Sequence, residues 1–208
     1  KKPEWTWYAT GPGAGIQMRS GRLVIPCDYK LADGQGYSHV IYSDDHGKTW
    51  SIGGLVGPGA NESRVIELTD GRLMLNMRNY RDKSAAAKGR AVATSSDGGL
   101  TWSALAHDPA LIEPMCQGSL VRGPDVEGKP TFLFSNPASS KREKMTVRLS
   151  IDDAKTWAYE KMLQAGPAAY SDLAVLPDGT ILCLYEMGEK SPYDKIVLAR
   201  FTADWLMH

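Results

Sequence analysis

Three short segments decide the fold: residues 43–50 read SDDHGKTW, residues 95–102 read SSDGGLTW and residues 150–157 read SIDDAKTW. All three fit the pattern S-x-D-x-x-x-T-W without gaps, and they begin 52 and 55 residues apart. Repeats of about 40 to 55 residues are typical of β-propeller blades, whereas helical solenoids usually repeat at shorter intervals. The repeats therefore predict an all-β chain made of similar blades.

Each repeat has a local structural explanation. Its Asp can accept backbone N–H groups inside the turn, and its Ser and Thr can add side-chain hydrogen bonds. Its Trp can pack between blades. We therefore interpret Asp45, Asp97 and Asp152 as structural residues and not as catalytic ones.

The intervals between the repeats predict strands and tight hairpins. Short β-rich runs alternate with turn signals, and no segment shows a sustained helical period. Asp-Gly pairs in residues 69–72 and 177–180 predict hairpins with positive φ at both central residues, and residues 18–22 look like a longer version. Together these signals predict four blades, near residues 13–56, 62–106, 118–163 and 170–205.

The composition excludes several classes of protein. The 208 residues carry 24 basic and 24 acidic side chains, which gives no net field for holding nucleic acid or an anionic membrane. No apolar run approaches the roughly 20 residues of a membrane span. The four His residues share no metal-binding spacing, so we expect neither a metal nor a cofactor.

The predicted blade order brings five chemistry-bearing residues to one rim. In an up-and-down blade, the start of strand one, the end of strand two and the loop that follows all lie at the same rim. Glu62 and Tyr170 open first strands, Arg78 and Glu186 close second strands, and Arg142 lies in a loop after strand two. Two guanidinium groups can grip a carboxylate through paired hydrogen bonds. We therefore expect an anion site at this rim.

From residue 11 to its C-terminus, the chain resembles the sialidase (neuraminidase) family. Its repeats are similar to the family's Asp boxes, or BNR repeats, which also occur in other glycosidases and in binding proteins. Residues 11–17 (GPGAGIQ), residues 134–137 (FSNP) and residues 170–186 (YSDLAVLPDGTILCLYE) resemble family segments in the same order. The resemblance implies a β-propeller, which has six blades in the family and about four in this chain.

The resemblance assigns a role to each rim residue. Tyr170 matches the nucleophile of the family, and Glu62 matches the Glu that partners this Tyr. Arg78 and Arg142 match the second and third arginines that bind the substrate's carboxylate. Glu186 matches a Glu that steadies the first of these arginines.

The implied activity is that of an exo-α-sialidase, a glycoside hydrolase that removes terminal sialic acid with retention of configuration. Its substrates would be sialylated oligosaccharides, glycoproteins or glycolipids. Tyr29 and Asn79, which we place near the same rim, are expected to touch the glycerol or N-acyl arm of the sugar.

The sequence also departs from the family. The family carries an Arg in a Φ-R-x-P context and an Asp acid/base near its N-terminus, and neither pattern occurs here. We therefore expect an incomplete propeller whose N-terminal blades lie elsewhere, in another segment or a second chain. We expect the 208 residues alone to be inactive.

Other interpretations of the function stay open at this point. The chain could belong to a non-catalytic carbohydrate-binding propeller, or to another Asp-box glycosidase that works with two carboxylates. A binding protein needs the arginines but not the pair formed by Tyr170 and Glu62, which favours an enzyme. Hydrolysis and transfer of sialic acid are not separated by these residues.

Overall fold

The computed structural model describes residues 2–80 and 88–208. Residues 81–87, inside the second predicted blade, lie outside the described part. The chain divides into two compact units, Lys1–Asp108 and Pro109–His208. Both units consist mainly of antiparallel sheet, which confirms the predicted all-β class. The described residues contain no helix long and apolar enough to cross a bilayer.

The first unit contains two antiparallel sheets. The first sheet has the order β1-β3-β4-β5, with β2 paired to β3. Its strands are β1 (Trp7–Thr10), β2 (Ile16–Gln17), β3 (Leu23–Lys30), β4 (Gly36–Ser43) and β5 (Ser51–Val56). The second sheet runs in sequence order through β6 (Ala60–Glu67), β7 (Leu73–Asn79), β8 (Arg90–Ser95) and β9 (Ala106–Asp108).

The two sheets of this unit meet closely at the second repeat. Their shared core is apolar, and Val24, Val40 and Leu75 in it are fully buried. The amide of Gly54 in β5 donates to the carbonyl of Gly99 at 2.8 Å. A Cβ atom on neighbouring Gly53 would lie 2.5 Å from that carbonyl oxygen, so the close approach requires glycine in β5.

The second unit forms one continuous sheet in sequence order. Its strands are β10 (Ser119–Arg122), β11 (Phe132–Pro137), β12 (Glu143–Ser150), β13 (Tyr159–Val175), β14 (Ile181–Met187) and β15 (Lys195–Phe201), and helix α1 (Ala203–Met207) follows them. The first half of β13 pairs with β12 and its second half pairs with β14. A single strand therefore runs across the gap between the third and fourth predicted blades, whose bounds stay predictions.

The three repeats form the hydrogen bonds that their sequence predicts. The hydroxyl of Ser43 donates to Asp45 and accepts from the amide of Gly47, both at 2.8 Å. Thr49 donates to Asp45 from its amide at 2.8 Å and from its hydroxyl at 2.7 Å. These donors, led by the Thr49 hydroxyl, lower the pKa of Asp45 to about 2. The repeats around Asp97 and Asp152 are built in the same way.

The Asp-Gly hairpins are present, but their turn type differs from the prediction. In the first hairpin, the amide of Leu68 donates to the carbonyl of Arg72 at 2.8 Å, so three residues remain in the loop. Gly71 has φ of 88°, whereas Asp70 is not in the positive-φ region. A three-residue hairpin needs only its last residue in the left-handed region, because a type I turn precedes it. The prediction of two positive-φ residues was therefore wrong.

Candidate functional site

In the first unit, a β-bulge presents Glu62 to Arg78. The register between β6 and β7 shifts so that Asn61 and Glu62 together oppose Arg78. Bulges of this kind re-aim a side chain and are common beside functional sites. Glu62 accepts a hydrogen bond from Nη1 of Arg78 at 2.8 Å, and each side chain is 18% exposed. The structure thus brings together two of the predicted site residues.

The second unit contains an equivalent β-bulge at Tyr170. The register between β13 and β14 shifts so that Ala169 and Tyr170 together oppose Glu186. The amide of Tyr170 donates to Oε2 of Glu186 at 3.0 Å, and both residues are half-buried. In each unit the two partners are 16 residues apart. One backbone feature therefore carries an acid in the first unit and a phenol in the second.

Arg142 is next to Tyr170. Its backbone carbonyl accepts from the amide of Ala168 in β13 at 2.9 Å, which ties its loop to the strand that bears Tyr170. The guanidinium carbon lies 5.6 Å from the centroid of the Tyr170 ring. Throughout residues 2–80 and 88–208, Arg142 has no carboxylate partner.

Tyr193, which was not predicted from the sequence, contacts Arg142. The hydroxyl of Tyr193 accepts from Nη1 of Arg142, and Nη2 donates to the carbonyl of Met115 at 3.4 Å. Tyr193 lies between β14 and β15, 51 residues from Arg142. No local pattern links residues this far apart, so only the pairing of the strands reveals the contact.

Asp28 is a second residue near the predicted site that was not predicted from the sequence. Asp28 is 1% exposed, and its carboxylate accepts from the indole of Trp7 at 3.2 Å and from the side-chain amide of Asn61 at 2.8 Å. Burial, followed by the negative charge of Glu62, raises the pKa of Asp28 to about 6. The buried carboxyl of Asp28 therefore fixes Asn61, which precedes Glu62 in the bulge.

Tyr29 and Asn79 are placed inside the first unit and not at an open surface. Tyr29 is 4% exposed and stacks between Trp5 and Tyr37, with ring centroids 4.2 and 5.0 Å away. Asn79 is buried, and its side-chain amide donates to the carbonyl of Gly89. These contacts hold both side chains inside the unit, and their contact with the sugar stays a prediction.

No cluster of three or more His, Cys, Asp or Glu side chains suited to a metal ion occurs in the part of the chain that the structure describes.

The order of strands in the sheets, the three matching turns and the similar bulge in each unit are together typical of a repeat protein built from blades. Residues 1–183 match the family model described as a BNR repeat-like domain. The chain belongs to this family, as the sialidases that it matches along most of its length also indicate.

Two curated relatives are sialidases. The chain is 39% identical to the sialidase of Micromonospora viridifaciens, over 98% of this chain and 32% of that protein. It is 34% identical to Sialidase-3 of Homo sapiens, over 95% of this chain and 58% of that protein. The chain thus spans less than two thirds of the length of these relatives.

Two solved structures resemble the chain closely. The Hadza microbial sialidase Hz136 matches with a TM-score of 0.87 and 35% identity, over 99% of this chain and 40% of that one. The intramolecular trans-sialidase of Ruminococcus gnavus, solved with oseltamivir carboxylate, matches with a TM-score of 0.83 and 28% identity, over 100% of this chain and 47% of that one. Both likenesses support a β-propeller of sialidase type.

Proposed function

We propose that the protein containing this chain is an exo-α-sialidase that hydrolyses terminal sialic acid with retention through Tyr170. One observation carries the proposal: Arg142, which has no carboxylate partner in the described residues, lies over the ring of Tyr170, whose amide is fixed by Glu186. An available cation beside a phenol suits a substrate that bears a carboxylate at its reacting carbon. The sialidases among the relatives point the same way.

The chemistry of the substrate explains the choice of a phenol. Sialic acid has a carboxylate on C2, where the glycosidic bond is broken. A carboxylate nucleophile would be repelled by this charge, whereas a neutral hydroxyl would not. Sialidases are accordingly an exception to the two-carboxylate scheme of glycosidases. Arg142 and Arg78 are proposed to bind the carboxylate and so to orient C2 for attack.

The proposed reaction has two steps. In the first step, Oη of Tyr170 bonds to C2, the bond between C2 and the leaving oxygen breaks, and Glu62 takes the phenolic proton. An acid from outside this chain protonates the leaving oxygen. In the second step, water replaces Tyr170 at C2, its proton passes to the conjugate base of that acid, and Tyr170 recovers its own proton from Glu62.

The test is the variant Tyr170→Phe in an active protein that contains this chain. We expect kcat on a fluorogenic sialoside to fall about a thousandfold or more, with binding of a sialic acid analogue retained, because only the nucleophile is lost. Tyr159→Phe, a tyrosine at the far end of β13, is the matched control. Equal turnover by Tyr170→Phe would remove Tyr170 from this role. An unaltered protein that binds the analogue without turnover would instead be a binding protein.

A further inference from the structure

The loop between β14 and β15 is fixed by one carboxylate. Oδ2 of Asp194 accepts the backbone amides of Glu189 at 3.1 Å, Lys190 at 3.4 Å and Ser191 at 3.3 Å. These amides, with that of Ser191 first, lower the pKa of the Asp194 carboxyl. The amide of Tyr193 donates to the Ser191 hydroxyl at 3.2 Å. The loop therefore has a defined shape although it is exposed.

Gly188 anchors this loop to the strand that bears Tyr170. Its amide donates to the carbonyl of Pro167 in β13 at 3.1 Å. A Cβ atom at position 188 would lie 2.1 Å from the carbonyl oxygen of Ser191 and 2.2 Å from Oδ2 of Asp194. No residue with a side chain fits there without moving the loop, so glycine at this position helps to place Tyr193.

Tyr193 is 60% exposed, and its hydroxyl points to Arg142 rather than only to solvent. Nη1 of Arg142 donates to this hydroxyl, whereas the bond from Nη2 to Met115 is long at 3.4 Å. Tyr193 is therefore the closest polar partner that the described residues offer to the guanidinium. A hydroxyl can accept from the guanidinium without neutralising its charge.

We propose that Tyr193 is a positioning residue, which holds the guanidinium of Arg142 in the orientation that binds the carboxylate of the substrate. This inference rests on the proposed function and extends it to a residue outside the rim that the sequence predicts. A guanidinium that is already oriented loses less freedom when the carboxylate binds. The ordered loop from Gly188 to Asp194 supplies that orientation.

The kinetic test is Tyr193→Phe, which removes one hydroxyl from an exposed ring and leaves the core untouched. Tyr193 is proposed to act through Arg142, which binds the carboxylate of the substrate, so loss of its hydroxyl should weaken substrate binding more than it slows the chemical step. We therefore expect KM to rise about threefold to tenfold, with kcat within about twofold of the unaltered protein. Tyr159→Phe is the matched control. Unchanged KM in Tyr193→Phe would overturn the proposal.

Two further measurements separate action through Arg142 from direct contact with the substrate. Two sialosides with different leaving groups should show the same rise in KM, and unequal rises would indicate that Tyr193 touches the leaving group. In the background Arg142→Lys, we expect Tyr193→Phe to have no further effect, because the two residues act as a unit. Additive losses would contradict the proposal.

A readout independent of activity uses the protein that contains this chain, whether or not it turns over a sialoside. The ¹⁵N order parameter of Nε in Arg142 should fall in Tyr193→Phe and stay constant in Tyr159→Phe. Absence of that fall would refute the positioning role. If the active protein turned over no sialoside, the proposed function would fail, while this measurement would still decide whether Tyr193 orders Arg142.

Discussion

A buried carboxyl, Asp28, makes the stability of the fold depend on pH. Its pKa is raised to about 6, so the folded state binds a proton more tightly than the unfolded chain does. A group of this kind stabilises the fold below about pH 4, and the contribution is lost as the pH rises through about 6. At neutral pH, the first unit therefore carries an ionised side chain in a poorly solvated position.

We expect Asp28→Asn to gain stability relative to the unaltered chain as the pH rises from 4 to 8. The change corresponds to about 3 kcal/mol at most, because the pKa lies roughly two units above its ordinary value. Urea denaturation at the two pH values measures it, with Glu4→Gln as an exposed control. A constant difference between variant and parent would contradict the assignment. Glu62→Gln should lower the pKa of Asp28, which ¹³C NMR of the carboxyl can follow.

The residues that the sequence could not predict depend on strand pairing. The predicted blade order placed Glu62 and Arg78 at the same rim, and these two side chains do contact each other. Asp28 reaches the bulge through Asn61, which lies 33 residues further along the chain. Tyr193 likewise depends on a distant partner. Such contacts arise only when the register of the sheets is known.

At the scale of the element, the repeated turn is the most predictable feature. The side-chain hydrogen bonds of Asp45, Asp97 and Asp152 with the Ser and Thr of each repeat join residues at most four positions apart, so the sequence alone specifies them. The hairpin type was not predictable in the same way, because it depends on which flanking residues pair. The length of strand β13 was also not predictable, because residues 164–169 (QAGPAA) contain Gly and Pro, which usually end a strand.

The repeated turn predicts the effect of removing its glycine. Gly47 has φ of 84°, and a Cβ atom there would meet its neighbours at an ordinary 3.7 Å. The cost of Gly47→Ala is therefore one of backbone conformation, about 1 kcal/mol of unfolding free energy. Thermal or urea denaturation measures this loss.

The third repeat supplies the matched control. Ala154 occupies the same place with φ of 56°. We expect Ala154→Gly to leave the free energy of unfolding unchanged or to raise it slightly. Glycine relieves the backbone strain of the folded state, but it also raises the conformational entropy of the unfolded chain. If both variants lost stability equally, backbone strain would not be the cause.

For the whole molecule, the family resemblance and the length of the relatives lead to a single prediction. The acid/base Asp and the first carboxylate-binding Arg have no matching pattern in this sequence, and the chain covers 32% of the Micromonospora relative. We expect the 208 residues alone to be inactive on a fluorogenic sialoside. The rate at which they release the leaving group should not exceed the rate of the same 208 residues carrying Tyr170→Phe. Turnover well above that baseline would show that this chain supplies its own acid.

The duplicated bulge has a consequence for how new chemistry can arise in such a chain. The kinked backbone is set by the strands around it, and the side chain that it displays is not part of their pairing. The same type of bulge therefore presents side chains of different chemistry, Glu62 in the first unit and Tyr170 in the second. We expect a substitution at position 62 or 170 to change the chemistry that the bulge presents while the pairing of the flanking strands is kept.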